Sequence, residues 1–452
     1  MTKRLVIIIL LFISCPILAQ EAKAPEVKID FTEFDLDNGL HVILHEDNTT
    51  PIAAITVTYH VGSKNEKPDR TGFAHFFEHL MFEGSDNIKR GEYSQLVQNA
   101  GGELNAYTSF DQTVYYEVLP SNQIELGLWL ESERMYHLKI DSTGVETQRG
   151  VVKEERKERL ENRPYGSIEE QTFAHAYKVH PYRWVPIGSV QYIDKATIQE
   201  FRDFYKTFYV PNNAVLSIAG DFDTGKMKDL IKKYFAGIPK GTRPIYRPTA
   251  VEPEQEKEVI DTVYDNIQLP AVIKAFHIPA MGTPDYYAID MLTTLLSGGE
   301  SSRFYKELVD KEQKALYTGS FPFSLEDPGL FLVYSIANMN VNVSDLDSSI
   351  DRQIRKVQNE LISEQEFTKL RNQTEDDFIR GKNTDLGIAT SLANYYLFYK
   401  GNTNLINTEL ERYMKVTRED IKRAADKYLV KHNETLLFYL PKPLKPAKGE
   451  GK

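Results

Sequence analysis

Hydrophobic and polar positions change period repeatedly along this chain. Val42-Ile43-Leu44 is a short apolar run, and Ala53 to Val61 alternates, with Ile55, Val57 and Tyr59 on one face. Both read as strands, as does the β-branched and aromatic stretch Thr113 to Leu119. Phe73 to Phe82 follows a helical period and stops near Gly84; Leu126–Leu138, Val145–Leu160 and Ile198–Phe208 do the same. Strands and helices interleave without strict β-α-β alternation. The pattern therefore predicts an α+β fold built on a largely antiparallel sheet packed with helices.

The pattern also repeats. Thr197 opens an amphipathic helix that ends at Phe208-Tyr209-Val210, followed by a turn and the apolar run Asn213-Ala214-Val215-Leu216. Thr417 opens a second helix ending at Tyr428-Leu429-Val430, followed by Asn433-Glu434-Thr435-Leu436. The two threonines stand 220 residues apart, and this offset holds through the match. The reading is two homologous domains, 31–240 and 258–441. Between them, 241–257 begins in a Pro- and Gly-rich stretch and continues polar and charged, as an exposed linker does. Residues 442–452 alternate Pro, Lys and Gly and read as a disordered tail.

The first residues are an address rather than fold. Lys3-Arg4 precede an unbroken apolar run, Leu5 to Ile13, and Ala19 supplies a small residue for cleavage. We expect a signal peptide over 1–19, a flexible segment over 20–30 and an exported, most simply periplasmic, protein. A lipoprotein attached through Cys15 is the alternative. The apolar run is shorter than the roughly 20 residues that span a bilayer, so no integral membrane span is expected.

Composition narrows the chemistry. Of 452 residues, 26% are charged and 41% hydrophobic, which excludes a disordered chain and a multi-span membrane protein. The net charge of −11, with no long basic run, argues against nucleic-acid binding. The single Cys excludes a disulfide framework and any cysteine-ligated metal site, so a metal would need His and carboxylates. Ser297-Gly298-Gly299-Glu300 lacks a phosphate-loop Lys and is read as a turn.

His75-Phe76-Phe77-Glu78-His79 supplies that chemistry. On a helix, positions i and i+4 share a face, so His75 and His79 can address one ion. Glu78 projects to the same side and can act as general base for a metal-activated water. A catalytic zinc site needs a third protein ligand. The other histidines are scattered and read as surface or packing residues.

The pentapeptide inverts His-Glu-x-x-His. With the segment Gln148 to Pro164, it resembles the pitrilysin/insulinase family of zinc metallopeptidases, in particular the short branch related to mitochondrial processing peptidase. Gly101-Gly102-Glu103-Leu104-Asn105-Ala106-Tyr107-Thr108-Ser109, His180-Pro181-Tyr182 and Tyr209-Val210-Pro211-Asn212-Asn213 extend the resemblance over nearly the whole chain. It implies duplicated α+β domains arranged as half of a clamshell, and one Zn2+ per chain. It implies Glu155, 76 residues after His79, as third ligand, with Glu154 as local competitor. It implies a substrate strand at Asn105, Ala106, Tyr107 and Thr108, and an outer-shell position at Gln148, where many relatives carry an acid. Tyr317 matches a Tyr that the family's second half supplies to the substrate, which implies a catalytic hydrogen bond to the tetrahedral oxyanion; Asp310 stands where the family has the accompanying Arg, and Arg303 is nearby as a candidate substrate-binding residue, its substitution for that Arg left open. The implied function is a zinc-dependent endopeptidase acting on peptides or unfolded segments, as a homodimer or a heterodimer with a related subunit. A peptide-binding or scaffold subunit, active only with a partner chain, is the alternative.

Overall fold

The computed structural model describes residues 28–443. The leader over 1–19, Cys15 and the last nine residues lie outside them. Two sheets form the framework. The first runs β1-β2-β6-β3-β5-β4, from β1 (Thr32–Asp35), β2 (His41–Glu46), β3 (Ile52–Tyr59), β4 (Glu103–Thr108), β5 (Thr113–Pro120) and β6 (Ala214–Gly220). The second runs β7-β11-β8-β10-β9, from β7 (Val259–Asp265), β8 (Ala271–His277), β9 (Ala315–Phe323), β10 (Leu330–Ala337) and β11 (Glu434–Pro441). Each sheet has one parallel pair, β2 with β6 and β7 with β11, among otherwise antiparallel pairs.

The two orders superpose as β2-β6-β3-β5-β4 on β7-β11-β8-β10-β9, so the repeat read from the sequence is a repeat of topology. Its details recur too. Thr197 and Thr417 each cap a helix and close a capping box, with Glu200 and Asp420 respectively. After each helix an Asn amide ties the turn to the strand beside it. Asn213 donates to Phe208 O at 2.8 Å and His60 O at 3.3 Å; Asn433 donates to Tyr428 O at 2.8 Å and His277 O at 2.9 Å.

Alternation along the strands gives each sheet two apolar faces, and the halves exchange helices to cover them. One face of the first sheet, with Val42, Leu44, Ile55 and Val57, packs on helices of its own half. The opposite face, with Ile43, Val215 and Ala219, is covered by Ile388, Ala389, Leu392 and Ala393 of the Asp385–Phe398 helix. Reciprocally, Ile273, Leu437 and Tyr439 of the second sheet are covered by Phe173 and Ala176 of the Ile168–Ala176 helix. A buried ionic clasp adds to this. Lys64 Nζ lies 2.8 Å from Asp111 Oδ1, 2.5 Å from Glu326 Oε2 and 3.4 Å from Asp327 Oδ2, the last two on the β9–β10 loop. His60 Nε2 is 2.7 Å from Glu326 Oε2.

Three expected segments gain detail. Segment 241–257 has no regular structure and is mostly exposed, and it is tethered: Arg247 donates to His60 O at 2.7 Å, and Gln255 donates to Glu434 O at 2.7 Å. The segment expected to be flexible to residue 30 is held by its end, because Ile29 is buried and exchanges hydrogen bonds with the Asn407 amide. The helix expected over Val145–Leu160 is α-helical over Ser142–Arg156 and then widens into a π turn, Lys157–Asn162. Among the described residues no helix is long and apolar enough to cross a membrane.

Candidate metal centre and substrate cavity

The Phe73–Leu80 helix exists because one stripe of it is aromatic. Phe73 and Phe76 stack on Phe201 at 4.7 and 4.5 Å, and Phe77 packs on Phe204 and Tyr209. That burial turns the remaining stripe, His75, Glu78 and His79, away from the core. The Tyr115 hydroxyl donates to Phe77 O at 3.1 Å and fixes the helix onto β5.

The Ser142–Arg156 helix is capped by Asp141, whose carboxylate accepts from Gly144 N at 2.8 Å. Its last turn brings Glu155 to the two histidines. Glu155 Oε2 lies 2.9 Å from His79 Nε2 and 3.5 Å from His75 Nε2, and one ligand atom from each residue falls within 4.8 Å of the others. Glu154 faces solvent and pairs with Lys157 at 3.3 Å. Burial alone would raise the Glu155 carboxyl, but the hydrogen bonds and charges of His75 and His79 outweigh it and hold the group well below the ordinary carboxylate range. Two imidazole nitrogens and a carboxylate converging within 4.8 Å of one another are a donor set that suits a zinc ion. Arg159, one turn further on, binds the other oxygen of Glu155 at 2.9 Å.

His75 is only 6% exposed, and Glu78 beside it faces a cavity of about 850 Å³. Both halves build that cavity. The first contributes Ala106, Tyr107 and Thr108 of β4; the second contributes Phe321, Phe323, Leu332 and Tyr334 of β9 and β10. β4 ends the first sheet and among the described residues pairs only with β5, so its outer edge offers main-chain groups to an added strand. Asn105 belongs to that strand, but its carbonyl oxygen is turned onto Ala106 N at 2.9 Å and it does not line the cavity.

Other predicted residues are placed differently. Tyr317 sits on β9, 54% exposed, with its hydroxyl 3.1 Å from that of Tyr334; it does not itself line the cavity. Arg303 is bound through two 3.0 Å hydrogen bonds to Glu366 and also stays outside the cavity. Gln148 donates to Glu83 rather than to a predicted ligand.

Two features escaped sequence reasoning. Arg159 is four residues from Glu155 on the same helical run, a spacing that signals an ion pair. Glu66 has no such signature. It is buried, and its carboxylate accepts from the main chain at the start of the Phe73–Leu80 helix. The second half holds its own acidic trio, Asp347, Asp351 and Glu434, but Lys274 Nζ already fills it at 2.5, 2.7 and 2.7 Å.

Comparison with known proteins agrees with this geometry. The family model described as "Insulinase (Peptidase family M16)" matches residues 41–184, which hold all three converging side chains. The model described as "Peptidase M16 inactive domain" matches 195–374. The "Zinc protease PqqE" of Helicobacter pylori is 32% identical over 409 residues, covering 90% of this chain and 92% of that protein. The "Probable mitochondrial-processing peptidase subunit beta, mitochondrial" of Arabidopsis thaliana is 25% identical over 430 residues, covering 92% and 79%. The crystal structure of a protease from Helicobacter pylori superposes with a TM-score of 0.88 at 30% identity, covering 91% of this chain and all of the other. The duplicated α+β architecture, the inverted motif on its aromatic-backed helix and these matches together place the chain in the insulinase family of peptidases, family M16.

Proposed function

We propose that this protein is a zinc-dependent endopeptidase that cleaves peptides or unfolded segments. The observation that carries the reading is the convergence of His75, His79 and Glu155 beside Glu78 at one wall of a cavity with an open strand edge. His75, His79 and Glu155 hold one Zn2+ per chain. Bound there, zinc supplies a Lewis acid and lowers the pKa of a water from 15.7 to about 7.

The chain's own groups do the rest. An extended peptide adds to the β4 edge, so main-chain hydrogen bonds supply affinity with little demand on sequence. Glu78 accepts a proton from the attacking water and returns it to the leaving amine. The β9–β10 wall keeps solvent from the reacting peptide on the opposite side. The leader pattern over residues 1–19 supports export, with the periplasm as the working compartment.

One observation favours a second reading, in which the chain works only beside a related subunit. With Arg303 tied to Glu366, no second-half Lys or Arg among the described residues lines the cavity, and Tyr317 stands exposed near its rim. A partner chain could supply the missing cation.

The test is hydrolysis of quenched fluorescent peptides by the purified mature chain with zinc, with chelator, and as Glu78→Gln. Chelator-sensitive cleavage lost in Glu78→Gln supports the first reading. Bound zinc without cleavage turns the case to the second. Cleavage that persists in Glu78→Gln contradicts the role assigned to Glu78.

A further inference from the structure

The Phe73–Leu80 helix has no cap of its own. An α-helix leaves its first N–H groups without internal partners, and the residue before this one is Gly72, at φ +96°, with no side chain to offer. Four other helices are capped locally: Asp141, Thr197, Ser363 and Thr417 each accept from an N–H three residues on. Here the acceptor comes from outside the helix. Glu66 follows the Ser63–Asn65 turn and is 3% exposed. Its Oε2 accepts from Gly72 N at 2.9 Å and its Oε1 from Ala74 N at 2.8 Å. Among the described residues no Lys, Arg or His pairs with this carboxylate, and it does not line the cavity. Its hydrogen bonds are spent on the two main-chain groups that flank Phe73 and immediately precede His75.

The other side of the same turn is closed by backbone. A Cβ on Gly188 would lie 2.2 Å from Gly72 N, so the turn cannot shift that way. Gly188 O in turn accepts from Arg156 at 2.7 Å, next to Glu155 in sequence.

We infer that Glu66 is a positioning residue for the metal site: it clamps the first turn of the Phe73–Leu80 helix and so fixes the direction in which His75 presents its ring. This rests on the reading of His75 as a metal ligand. Glutamine at 66 keeps one acceptor but turns an NH2 group onto a main-chain donor, so the clamp is half lost. Groups that orient ligands typically contribute 10- to 100-fold to metal affinity.

The experiment is zinc affinity of the mature chain by competition with a chromogenic chelator, with melting temperature measured alongside. Glu66→Gln is expected to bind zinc at least about tenfold more weakly and, at saturating zinc, to lower kcat with KM unchanged. Ser363→Ala removes a cap far from the site; it is expected to lower the melting temperature and leave zinc affinity at the wild-type value. If wild-type protein binds no zinc, the metal reading itself fails. If it binds and Glu66→Gln matches its affinity and kcat, the positioning role is overturned. Should Glu66→Gln not fold, Glu66→Asp carries the test: weaker zinc binding in the folded variant supports the role, and wild-type affinity overturns it.

Discussion

Replacing Lys64 by Met tests how the two halves are held together. Lys64 is 3% exposed at its side chain, with Asp111, equally buried at 4%, and Glu326 as its near partners. Removing one member of a buried ion pair costs about 3–5 kcal/mol, because the remaining charge is left in a poor solvent. Two features pull the value toward the lower end. Asp111 keeps the Tyr182 hydroxyl at 2.6 Å and the Glu326 N–H at 2.9 Å. Glu326 keeps His60 and is 29% exposed. We therefore expect a loss of about 3 kcal/mol. At roughly 2–4 °C per kcal/mol for units of this size, the melting temperature should fall by roughly 6–12 °C. Calorimetry of Lys64→Met, Asp111→Asn and the double variant measures both the loss and the coupling. A loss below about 0.5 kcal/mol, the scale of an ordinary surface substitution, would mean that the clasp does not hold the halves together.

Burial raises the Glu326 carboxyl, but His60 and then Lys64 lower it to a net value of about 2, so its contribution to stability is present above the ordinary 4.5 and is lost as pH falls from there through about 2. Acid titration of stability should show this loss in the wild type and less of it in Lys64→Met. Glu78→Gln should lower kcat by about 10²–10⁴-fold, the range of a general base. Gly188→Ala, at φ +64° against Gly72, should lower both the yield of folded protein and its zinc content. Arg303→Ala should leave peptide KM unchanged in steady-state assays, because its guanidinium is committed to Glu366.

What the sequence disclosed is what local chemistry encodes. The Ile198–Phe208 helix appears with the bounds expected, because a Thr cap, a Glu three residues later and an amphipathic stripe all act within a few turns. The two histidines and Glu78 were readable for the same reason, since one helical period places them together. Glu155 needed a family resemblance, because nothing local ties it to a residue 76 positions earlier. The Asp385–Phe398 helix was hidden by its own composition: apolar nearly all round, it carries no stripe to say which sheet it covers. Glu66 sits in the charged and polar run Lys64-Asn65-Glu66-Lys67, yet the fold buries the Lys in the clasp and the Glu beneath the Phe73–Leu80 helix. The surroundings of Arg303 were not legible either: the π turn Tyr305–Lys311 separates it from Tyr317, and Glu366, 63 residues on, captures the guanidinium.

The most direct test of the central claim is metal content measured beside peptide cleavage in wild type, Glu155→Ala and Glu78→Gln. One zinc per wild-type chain is expected, with zinc lost in Glu155→Ala and zinc retained without cleavage in Glu78→Gln. Full zinc occupancy in Glu155→Ala, or loss of zinc in a folded Glu78→Gln, would contradict that claim.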